Sequence, residues 1–318
     1  MNRIRVAVIG VGHLGSIHAR IYSQLQIAQV VAVCDTIPEK AQQIAQQLGC
    51  RAVTDFSELP GEIDAVSIAV PTQLHFPIAK TFLAKGIHAL VEKPITRTVK
   101  EADRLLSLAK KTGVILQVGH VERFNAALRK VYDSLKNPRF IEVHRLAPFQ
   151  PRGTEVGVVL DLMIHDIDIL LGLVKSPIRR IEAVGVKVLT PFEDIANARV
   201  TFKNGTVANL TASRISKEAM RKFRIFQSDA YVSMYFLSQA ADLYRRLDGR
   251  ITQESLAIPK EEPRKAELAA FLEAIQHRRP PPVSGQEARD ALNIALKVTH
   301  LIERGSEVGH LPQRSNPF

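Results

Sequence analysis

The first 120 residues alternate between short apolar runs and amphipathic stretches. The apolar runs are rich in β-branched residues and carry little polar alternation, which is typical of strands buried on both faces. Strands are predicted at Arg5–Ile9, Val30–Cys34, Ala65–Val70, Ile87–Val91 and Val114–Val118, with helices at Leu14–Leu25, Pro38–Leu48, Leu74–Ala84 and Glu101–Lys111. Strands that alternate with helices in this way predict βαβ units and a doubly wound parallel sheet.

The pattern changes after Gly119. Helices are predicted at Phe124–Leu135, Val156–Leu173, Glu262–His277 and Gln286–Arg304, and strands at Ile178–Leu189, Phe140–Leu146, Ile195–Phe202, Thr206–Ser213, Phe223–Phe226 and Ala230–Phe236. Asn204-Gly205 lies between two of these runs and is a strong hairpin signal. We therefore expect an α+β domain with a large, mostly antiparallel open sheet over residues 121–305, after a first domain at 1–120. An irregular tail is expected at 306–318.

The composition is ordinary for a globular protein. The 318 residues are 46% hydrophobic and 24% charged, and no apolar run reaches the roughly 18 residues that span a bilayer. The apolar start of the chain is short and runs into a glycine-rich turn, so it is interpreted as a strand and not as a signal peptide. Two cysteines, Cys34 and Cys50, are too few for a disulfide framework. We expect a cytoplasmic protein without membrane contact.

The net charge of +11 allows two interpretations. A basic protein binds nucleic acid, or its cleft collects an anionic small molecule. Lys and Arg are scattered here, and the densest cluster (Arg221, Lys222 and Arg224) alternates with apolar residues. Neither a basic tail nor zinc-finger spacing is present in the sequence. An anionic metabolite is therefore favoured, and no nucleic-acid partner is expected.

A glycine-rich turn follows the first strand and opens the first helix. It matches G-x-G-x-x-G with the residues Gly10, Gly12, His13, Leu14 and Gly15. The first glycine permits the tight turn, the second lets the backbone approach a pyrophosphate, and the third lets helix and strand pack closely. The helix N-terminus offers free N–H groups to the phosphates. This context favours a Rossmann nicotinamide-dinucleotide site over an ordinary strand–helix turn.

Asp35 stands at the end of the second strand, 20 residues after Gly15. A carboxylate at this place accepts hydrogen bonds from the adenosine ribose hydroxyls and repels a 2′-phosphate. Thr36 brings no cation that would replace it. NAD is therefore expected as the cofactor in preference to NADP, although a strand-end turn former is the alternative interpretation of Asp35.

Glu92-Lys93-Pro94 follows a predicted parallel strand. Residues at the carboxyl ends of such strands face the ligand crevice, so Lys93 is placed to approach a reacting hydroxyl. Pro94 fixes the turn and biases Lys93 towards an extended backbone. A lone lysine on a loop is otherwise more often a surface residue.

A second polar group lies within an apolar helix. Asp161, His165 and Asp168 are spaced at i, i+4 and i+7, so they share one face among buried-type neighbours. Histidine titrates near neutral pH and accepts the proton of an alcohol that loses hydride, while Asp161 orients the ring. A solvent-facing or interface-facing helix is the alternative, and it is retained for Asp166 and Asp168. Zinc would need a third ligand that is not evident nearby, so no metal is expected.

These motifs in this order resemble the glucose–fructose oxidoreductase / inositol dehydrogenase / MocA family from about residue 3 to about residue 305. The resemblance implies that Lys93, Asp161 and His165 form the active centre, with the histidine as proton acceptor. It also implies a segment beside the cofactor with Pro71, Thr72 and His75, and further cofactor contacts from Glu92 and Lys93. A helix-capping Thr72 and a surface His75 are the alternatives. Members commonly assemble through the open sheet, so a homodimer or homotetramer is expected.

Three stretches narrow the resemblance within the family: residues 118–125, 160–168 and 212–216. Within the family they resemble enzymes that oxidise the C3 hydroxyl of UDP-N-acetylglucosamine. By that resemblance, the sugar nucleotide would contact residues from the set His120, Arg123, Arg152 and Arg214. Each of the three arginines is otherwise more often a solvated surface charge. One departure is that Gly157 stands alone where relatives carry paired glycines. A free sugar, inositol or sugar acid is the alternative substrate, and a non-catalytic NAD-binding regulator the alternative of another class.

Overall fold

The structure is a computed structural model that describes residues 3–151, 153–228, 230–247 and 250–308. It divides into two compact units. The first contains the residues up to Asn125 together with Glu261–Leu292, and the second contains Ala126–Lys260 together with the residues from Asn293 onward. The predicted domains at 1–120 and 121–305 stay a prediction. The compact units place the segment Glu261–Leu292 with the N-terminal part.

A parallel sheet forms the centre of the first unit. Over the described residues it has six strands, in the order β3-β2-β1-β4-β5-β6. Their bounds are β1 Ile4–Ile9, β2 Ala28–Cys34, β3 Arg51–Val53, β4 Ala65–Ile68, β5 His88–Glu92 and β6 Leu116–Gly119. Every neighbouring pair is parallel. This is the strand order of a dinucleotide-binding Rossmann sheet, so the predicted doubly wound fold is confirmed.

Helices connect these strands. Their bounds are α1 His13–Gln24, α2 Pro38–Leu48, α3 Thr72–Ala84 and α4 Val99–Thr112; α7 (Pro263–Gln276) returns to the same unit, and α8 (Gly285–Val308) begins in it. From α7, Leu268, Phe271 and Leu272 are fully buried in one cluster with residues of β1 and α1. This apolar contact explains why the segment packs with the N-terminal part. Over the described residues, no helix is both long and apolar enough to cross a membrane.

The second unit contains a large sheet. The described residues give it eight strands, in the order β14-β13-β12-β11-β7-β10-β9-β8. The bounds are β7 Phe140–Leu146, β8 Ile178–Val186, β9 Ile195–Phe202, β10 Val207–Ser213, β11 Met220–Phe226, β12 Ala230–Tyr235, β13 Ala240–Leu247 and β14 Arg250–Ser255. Only the β7–β10 pair is parallel among these described strands. The mostly antiparallel sheet is confirmed, as is the Asn204-Gly205 hairpin, in which Gly205 has φ +89°.

Some predicted elements are shorter in the structure, and three strands were not predicted. The helix predicted at Phe124–Leu135 is the shorter α5 (Ala126–Val131). The strand predicted at Ile178–Leu189 ends at Val186, because the Asp194 carboxylate takes the next amides, of Val188, Leu189 and Thr190. β3, β13 and β14 had no apolar signal strong enough to predict them, and all six residues of β14 are exposed.

Candidate active site

The glycine turn has the tight geometry that its sequence predicts. Gly10 has φ +81°, where a side chain is strained, and its N–H donates to the Cys34 carbonyl oxygen at 2.8 Å. A Cβ on Gly15 would lie 1.7 Å from the Gly10 carbonyl oxygen. Gly12 differs, because a Cβ there would meet nothing within 4 Å among the described residues and its φ is an ordinary −64°. The space beside Gly12 is therefore open to a ligand.

The contrast between Gly12 and Gly15 gives a matched pair of variants. Gly15→Ala should lower the free energy of unfolding by about 3 kcal/mol or more, because its Cβ overlaps backbone. Gly12→Ala should keep wild-type stability and weaken NADH binding by about tenfold or more, since the methyl enters ligand space. Thermal unfolding and NADH fluorescence titration measure the two effects. Equal stability loss in both variants would contradict this interpretation of the turn.

A cavity of about 500 Å³ lies against the turn. Its wall includes Gly10, Gly12, Asp35 and Pro71. Helix α1, whose first residues are His13 and Leu14, starts here with neither a side-chain cap nor an acidic residue in its first turn among the described residues. Its N–H groups and positive dipole end suit a pyrophosphate. The cavity, the open space at Gly12 and the uncapped helix therefore fit a dinucleotide.

The Asp35 carboxylate closes the end of β2. Oδ2 accepts from the Val11 amide and Oδ1 from the Ile37 amide, both at 3.0 Å. A carboxylate has about four acceptor positions, so room is left for ribose hydroxyls. Thr36 and Lys40 also line the cavity. Lys40, a cation four residues beyond Thr36, was overlooked in the sequence because it lies on α2 and not at the strand end.

Glu92 and Lys93 stand at the carboxyl end of β5. Lys93 is half-buried, whereas Glu92 is only 5% exposed. Glu92 Oε2 accepts from the Lys93 amide at 3.2 Å, and a Cβ on Gly119 of the neighbouring β6 would lie 2.7 Å from this oxygen. The Lys93–Pro94 peptide bond is cis. The glutamate therefore packs under the turn that presents the lysine.

His75 supports the same turn from α3. It is 1% exposed, so the alternative of a surface histidine is excluded. Its Nδ1 lies 2.8 Å from the Pro94 carbonyl oxygen and its Nε2 2.9 Å from the Val70 carbonyl oxygen. Burial lowers the pKa of His75, and the two carbonyl groups oppose that shift. Thr72 is the first residue of α3 and Pro71 is its N-cap residue. No side-chain capping hydrogen bond is present at this helix end within the described structure.

The second unit carries the aspartate–histidine pair. The predicted helix at Val156–Leu173 consists of a π-helical turn at Val159–Met163 followed by α6 (Ile164–Leu173). Asp161 lies in the π-helical turn and is half-buried, and His165 lies in the first turn of α6 and is 8% exposed. π-Helical turns inside helices are frequent at functional sites. A regular 3.6-residue pattern does not reveal such a turn in the sequence.

The other two acidic residues of this helix are buried. Asp166 makes a close ion pair with Arg145, whose Nη2 lies 2.6 Å from Oδ1 and whose Nε also donates to the carboxylate. Asp168 is fully buried. A solvent-facing helix is therefore excluded for both residues. For Asp166, the pair with Arg145 gives a structural role, because a buried carboxylate is costly without a partner.

Glu193 holds the start of this helix. Its backbone carbonyl accepts from the Val158 amide at 2.9 Å, and its Oε1 accepts from the Val159 amide at 3.3 Å. A Cβ on Gly157 would lie 1.9 Å from Glu193 Oε1. The single glycine that the sequence retains is thus the one against which this carboxyl group packs. Burial raises the pKa of Glu193.

The four residues proposed for the sugar nucleotide have different environments. Arg214 is 5% exposed, and its Nη1 and Nη2 donate to the carbonyl oxygens of Gly153 (3.0 Å) and Val156 (2.7 Å). It is therefore not a solvated surface charge. In the first unit, His120 is 1% exposed and Arg123 Nη2 lies 3.3 Å from Glu287 Oε1. Arg152 lies outside the described residues.

The structure gathers some of these residues and not others. In the first unit, Gly10, Gly12, Asp35 and Pro71 line one cavity. The other predicted cofactor residues lie outside its described lining, namely His13, Leu14, Gly15, Thr72, His75, Glu92 and Lys93. In the second unit, Asp161 and His165 share one helical segment. Over the described residues, no cluster of His, Cys, Asp or Glu suits a metal ion.

The chain is similar to known proteins along most of its length. The model of an oxidoreductase family with an NAD-binding Rossmann fold (GFO_IDH_MocA) matches residues 4–120, and the GFO/IDH/MocA C-terminal domain matches residues 125–233. UDP-N-acetylglucosamine 3-dehydrogenase from Acidithiobacillus ferrooxidans is 39% identical over 95% of this chain and 98% of that protein. The chain belongs to the Gfo/Idh/MocA oxidoreductase family. The family predicted from the motifs is confirmed, and the protein is an enzyme with a nicotinamide-dinucleotide-binding domain.

The chain is also similar to other dehydrogenases. scyllo-Inositol 2-dehydrogenase (NAD(+)) from Bacillus subtilis is 30% identical over 68% of both chains. The solved structure of the Acidithiobacillus ferrooxidans enzyme superposes with a TM-score of 0.91 at 40% identity, covering 96% of this chain and 99% of that one. Levoglucosan dehydrogenase with NADH and levoglucosan reaches 0.87 at 18% identity, covering 95% and 98%. The last likeness shows the fold alone.

Proposed function

We propose that this Gfo/Idh/MocA oxidoreductase oxidises the C3 hydroxyl of UDP-N-acetylglucosamine to a ketone, with NAD as the cofactor. The observation that carries the proposal is the likeness to the enzyme of that name over nearly the whole of both chains. The presence of Lys93, Asp161 and His165 supports it, because a protein that only binds nucleotide needs none of the three.

The proposed chemistry divides among three side chains. His165 accepts the hydroxyl proton as the C3 hydrogen leaves as hydride, and a ketone forms. Asp161 orients the imidazole and stabilises its charged form. Lys93 polarises and positions the hydroxyl oxygen. Bound NAD supplies the hydride acceptor, while the protein supplies placement and charge.

The proposed cofactor contacts are those of the first unit. The glycine turn with His13 and Leu14 would hold the pyrophosphate, and Asp35 would hold the adenosine ribose. The nicotinamide end of the cofactor would be contacted by the segment with Pro71, Thr72 and His75 and by the Glu92-Lys93 turn. Lys40 on the cavity wall is the side chain that would favour a 2′-phosphate, so Asp35 is the residue on which NAD preference depends.

Substitutions of Asp35 and Lys40 should change the cofactor preference in opposite directions. Asp35→Ser should shift the ratio of kcat/KM for NAD over NADP towards NADP by about tenfold or more, because a ribose acceptor and a repelling charge are both removed. Lys40→Ala should shift the ratio the other way. Initial rates with each cofactor, with thermal unfolding as the folding control, measure the shifts. A ratio unchanged in both variants would contradict the assignment of this end of the cavity.

The proposed substrate carries a diphosphate, which suits a chain with a net charge of +11. His120, Arg123, Arg152 and Arg214 are the proposed substrate contacts. Because both Nη atoms of Arg214 already donate to carbonyl groups, we further propose that it holds the segment from Gly153 to Val156 ahead of Asp161.

The experiment that tests the function is a substrate panel. NADH formation is followed at 340 nm with UDP-N-acetylglucosamine, other UDP-sugars, free sugars, inositols and sugar acids, each with NAD and with NADP. We expect the highest kcat/KM for UDP-N-acetylglucosamine with NAD. A higher value for a free sugar or inositol would overturn the substrate, and NAD binding without turnover on any substrate would favour a regulatory protein.

We propose a homo-oligomer in the cytoplasm. Exposed apolar side chains at and beyond the end of β8, namely Val184, Val186, Val188 and Leu189, support a covered surface. Both cysteines are free thiols, which suits a reducing compartment.

A further inference from the structure

A cluster of polar side chains lies buried behind the Glu92-Lys93 turn, within the first unit. Glu92 Oε1 accepts from Arg264 Nη1 at 2.8 Å, and His18 Nε2 lies 3.2 Å from the same oxygen. His18 Nε2 is also 3.0 Å from Arg264 Nη1, while its Nδ1 lies 2.8 Å from Ser67 Oγ. Side chains from α1 and α7 thus meet at one carboxylate oxygen of β5, and Ser67 of β4 contacts the other ring nitrogen of His18.

Glu267 adds a second carboxyl group to this region. It lies three residues after Arg264 on α7, so the two share a face of the helix. It is fully buried, and neither carboxyl oxygen has a hydrogen-bond partner among the described residues. An ionised carboxylate in such a place carries a large desolvation cost, whereas the neutral acid carries much less. Its backbone carbonyl accepts from Gln117 Nε2 at 3.1 Å, which ties α7 to β6.

The pKa values of the two carboxyl groups shift in opposite directions. Burial raises the pKa of Glu267, and the charges of Glu92 and Glu122 raise it further against the opposing effect of Arg264. Burial would also raise the pKa of Glu92, but His18, Arg264 and Lys93 outweigh it and lower that pKa. Tyr22, fully buried on α1, also has a raised pKa, first through burial and then through both glutamates. The stable charge state therefore has Glu92 ionised and Glu267 protonated.

We propose that Arg264 is a positioning residue for Lys93 that acts through Glu92, and that Glu267 stays protonated. As a neutral acid, Glu267 does not compete with the Glu92 carboxylate for the positive charge of Arg264. Glu92 is the link, because its Oε1 is held by Arg264 while its Oε2 accepts from the Lys93 amide. The first part rests on the proposed function, in which Lys93 is catalytic. The second part concerns the charge state of the folded chain and does not depend on any substrate.

The first test compares Arg264→Met with Lys265→Met, an exposed cation next to it on α7. Arg264→Met should lower kcat by about 10- to 100-fold with KM for the sugar nucleotide within about threefold, because the lysine is displaced and not removed. Lys265→Met should leave both values unchanged. Arg264→Lys should recover part of kcat, because it keeps the charge and loses the fork geometry; it also serves if Arg264→Met does not fold.

Two results would overturn the positioning role. One is an equal kcat in Arg264→Met and Lys265→Met. The other is a fall in thermal stability of Arg264→Met with kcat unchanged, which a merely structural arginine would give. If the wild-type enzyme does not oxidise the sugar nucleotide at all, the proposed function fails, and this comparison is repeated on the substrate that the panel identifies.

The second test measures stability against pH and needs no turnover. Glu267 has a raised pKa, so the folded chain keeps a proton that the unfolded chain releases above about pH 4.3, and the contribution to stability is lost as pH rises. Glu267→Gln removes this loss. The free energy of unfolding of Glu267→Gln minus that of wild type should therefore increase from about pH 5 to about pH 8. The exposed Glu262→Gln control should show a constant difference. A constant or decreasing difference for Glu267→Gln would overturn the neutral acid.

Discussion

His165→Ala should lower kcat by about 10²- to 10⁴-fold while NADH binding stays within about threefold of wild type. The reason is that general-base catalysis by a positioned imidazole contributes on that scale, and the proposed cofactor contacts lie on other residues. Single-turnover rates and NADH fluorescence titration separate the two quantities. Because the alanine leaves a space of imidazole size, added imidazole should restore part of the rate.

The matched control for this result is His300→Ala. His300 is an exposed histidine on α8 in the same unit, and its replacement should leave kcat unchanged. Near-normal turnover in His165→Ala, or equal losses in both variants, would exclude His165 as the proton acceptor. Loss of NADH binding along with turnover would instead indicate a structural role.

We expect Lys93→Met to lower kcat by about 10²- to 10³-fold, since the methionine keeps most of the side-chain length and loses the charge that is proposed to polarise the hydroxyl oxygen. Lys93→Arg should recover little, because a planar guanidinium does not place its charge where a compact ammonium does. The exposed Lys100→Met on α4 serves as control and should retain wild-type turnover.

The pH dependence of the Lys93 variants carries further information. The lysine is one of the charges that lower the pKa of Glu92, so its loss should move that pKa upward towards the usual value. A carboxyl group whose pKa is lowered on folding stabilises the folded state at any pH above its pKa in the unfolded chain. That contribution to stability is lost as the pH falls. Lys93→Met should therefore be less sensitive to acid than wild type when stability is followed from neutral pH down to about pH 3. A larger acid sensitivity would contradict the proposed charge coupling.

The parts of the fold that the sequence predicted correctly are those in which local chemistry determines local structure. The glycine turn brings together Gly10 and Gly15, which are five positions apart, and the tight packing of Gly15 on Gly10 follows from that spacing. Gly49 closes α2 in the left-handed conformation, as a glycine after a helix indicates. Apolar runs likewise predicted the strands at the centre of both sheets.

The rest depends on contacts between distant residues. Arg264 follows Glu92 by 172 positions, and nothing in its immediate sequence indicates a buried partner. β14 is an edge strand of the large sheet with all six residues exposed, so it needs no apolar positions and its alternating pattern is weak. Glu193 supports the histidine-bearing helix from another loop, and only a folded chain reveals it.

The fate of the hydrogen at C3 shows directly whether the enzyme oxidises that carbon. UDP-N-acetylglucosamine that carries deuterium at C3 is incubated with the enzyme and NAD, and the reduced cofactor is analysed by mass spectrometry. Because the hydride comes from the carbon whose hydroxyl is oxidised, we predict NADH that is one mass unit heavier, together with a 3-keto sugar nucleotide. Unlabelled NADH with the deuterium kept in the product would contradict oxidation at C3.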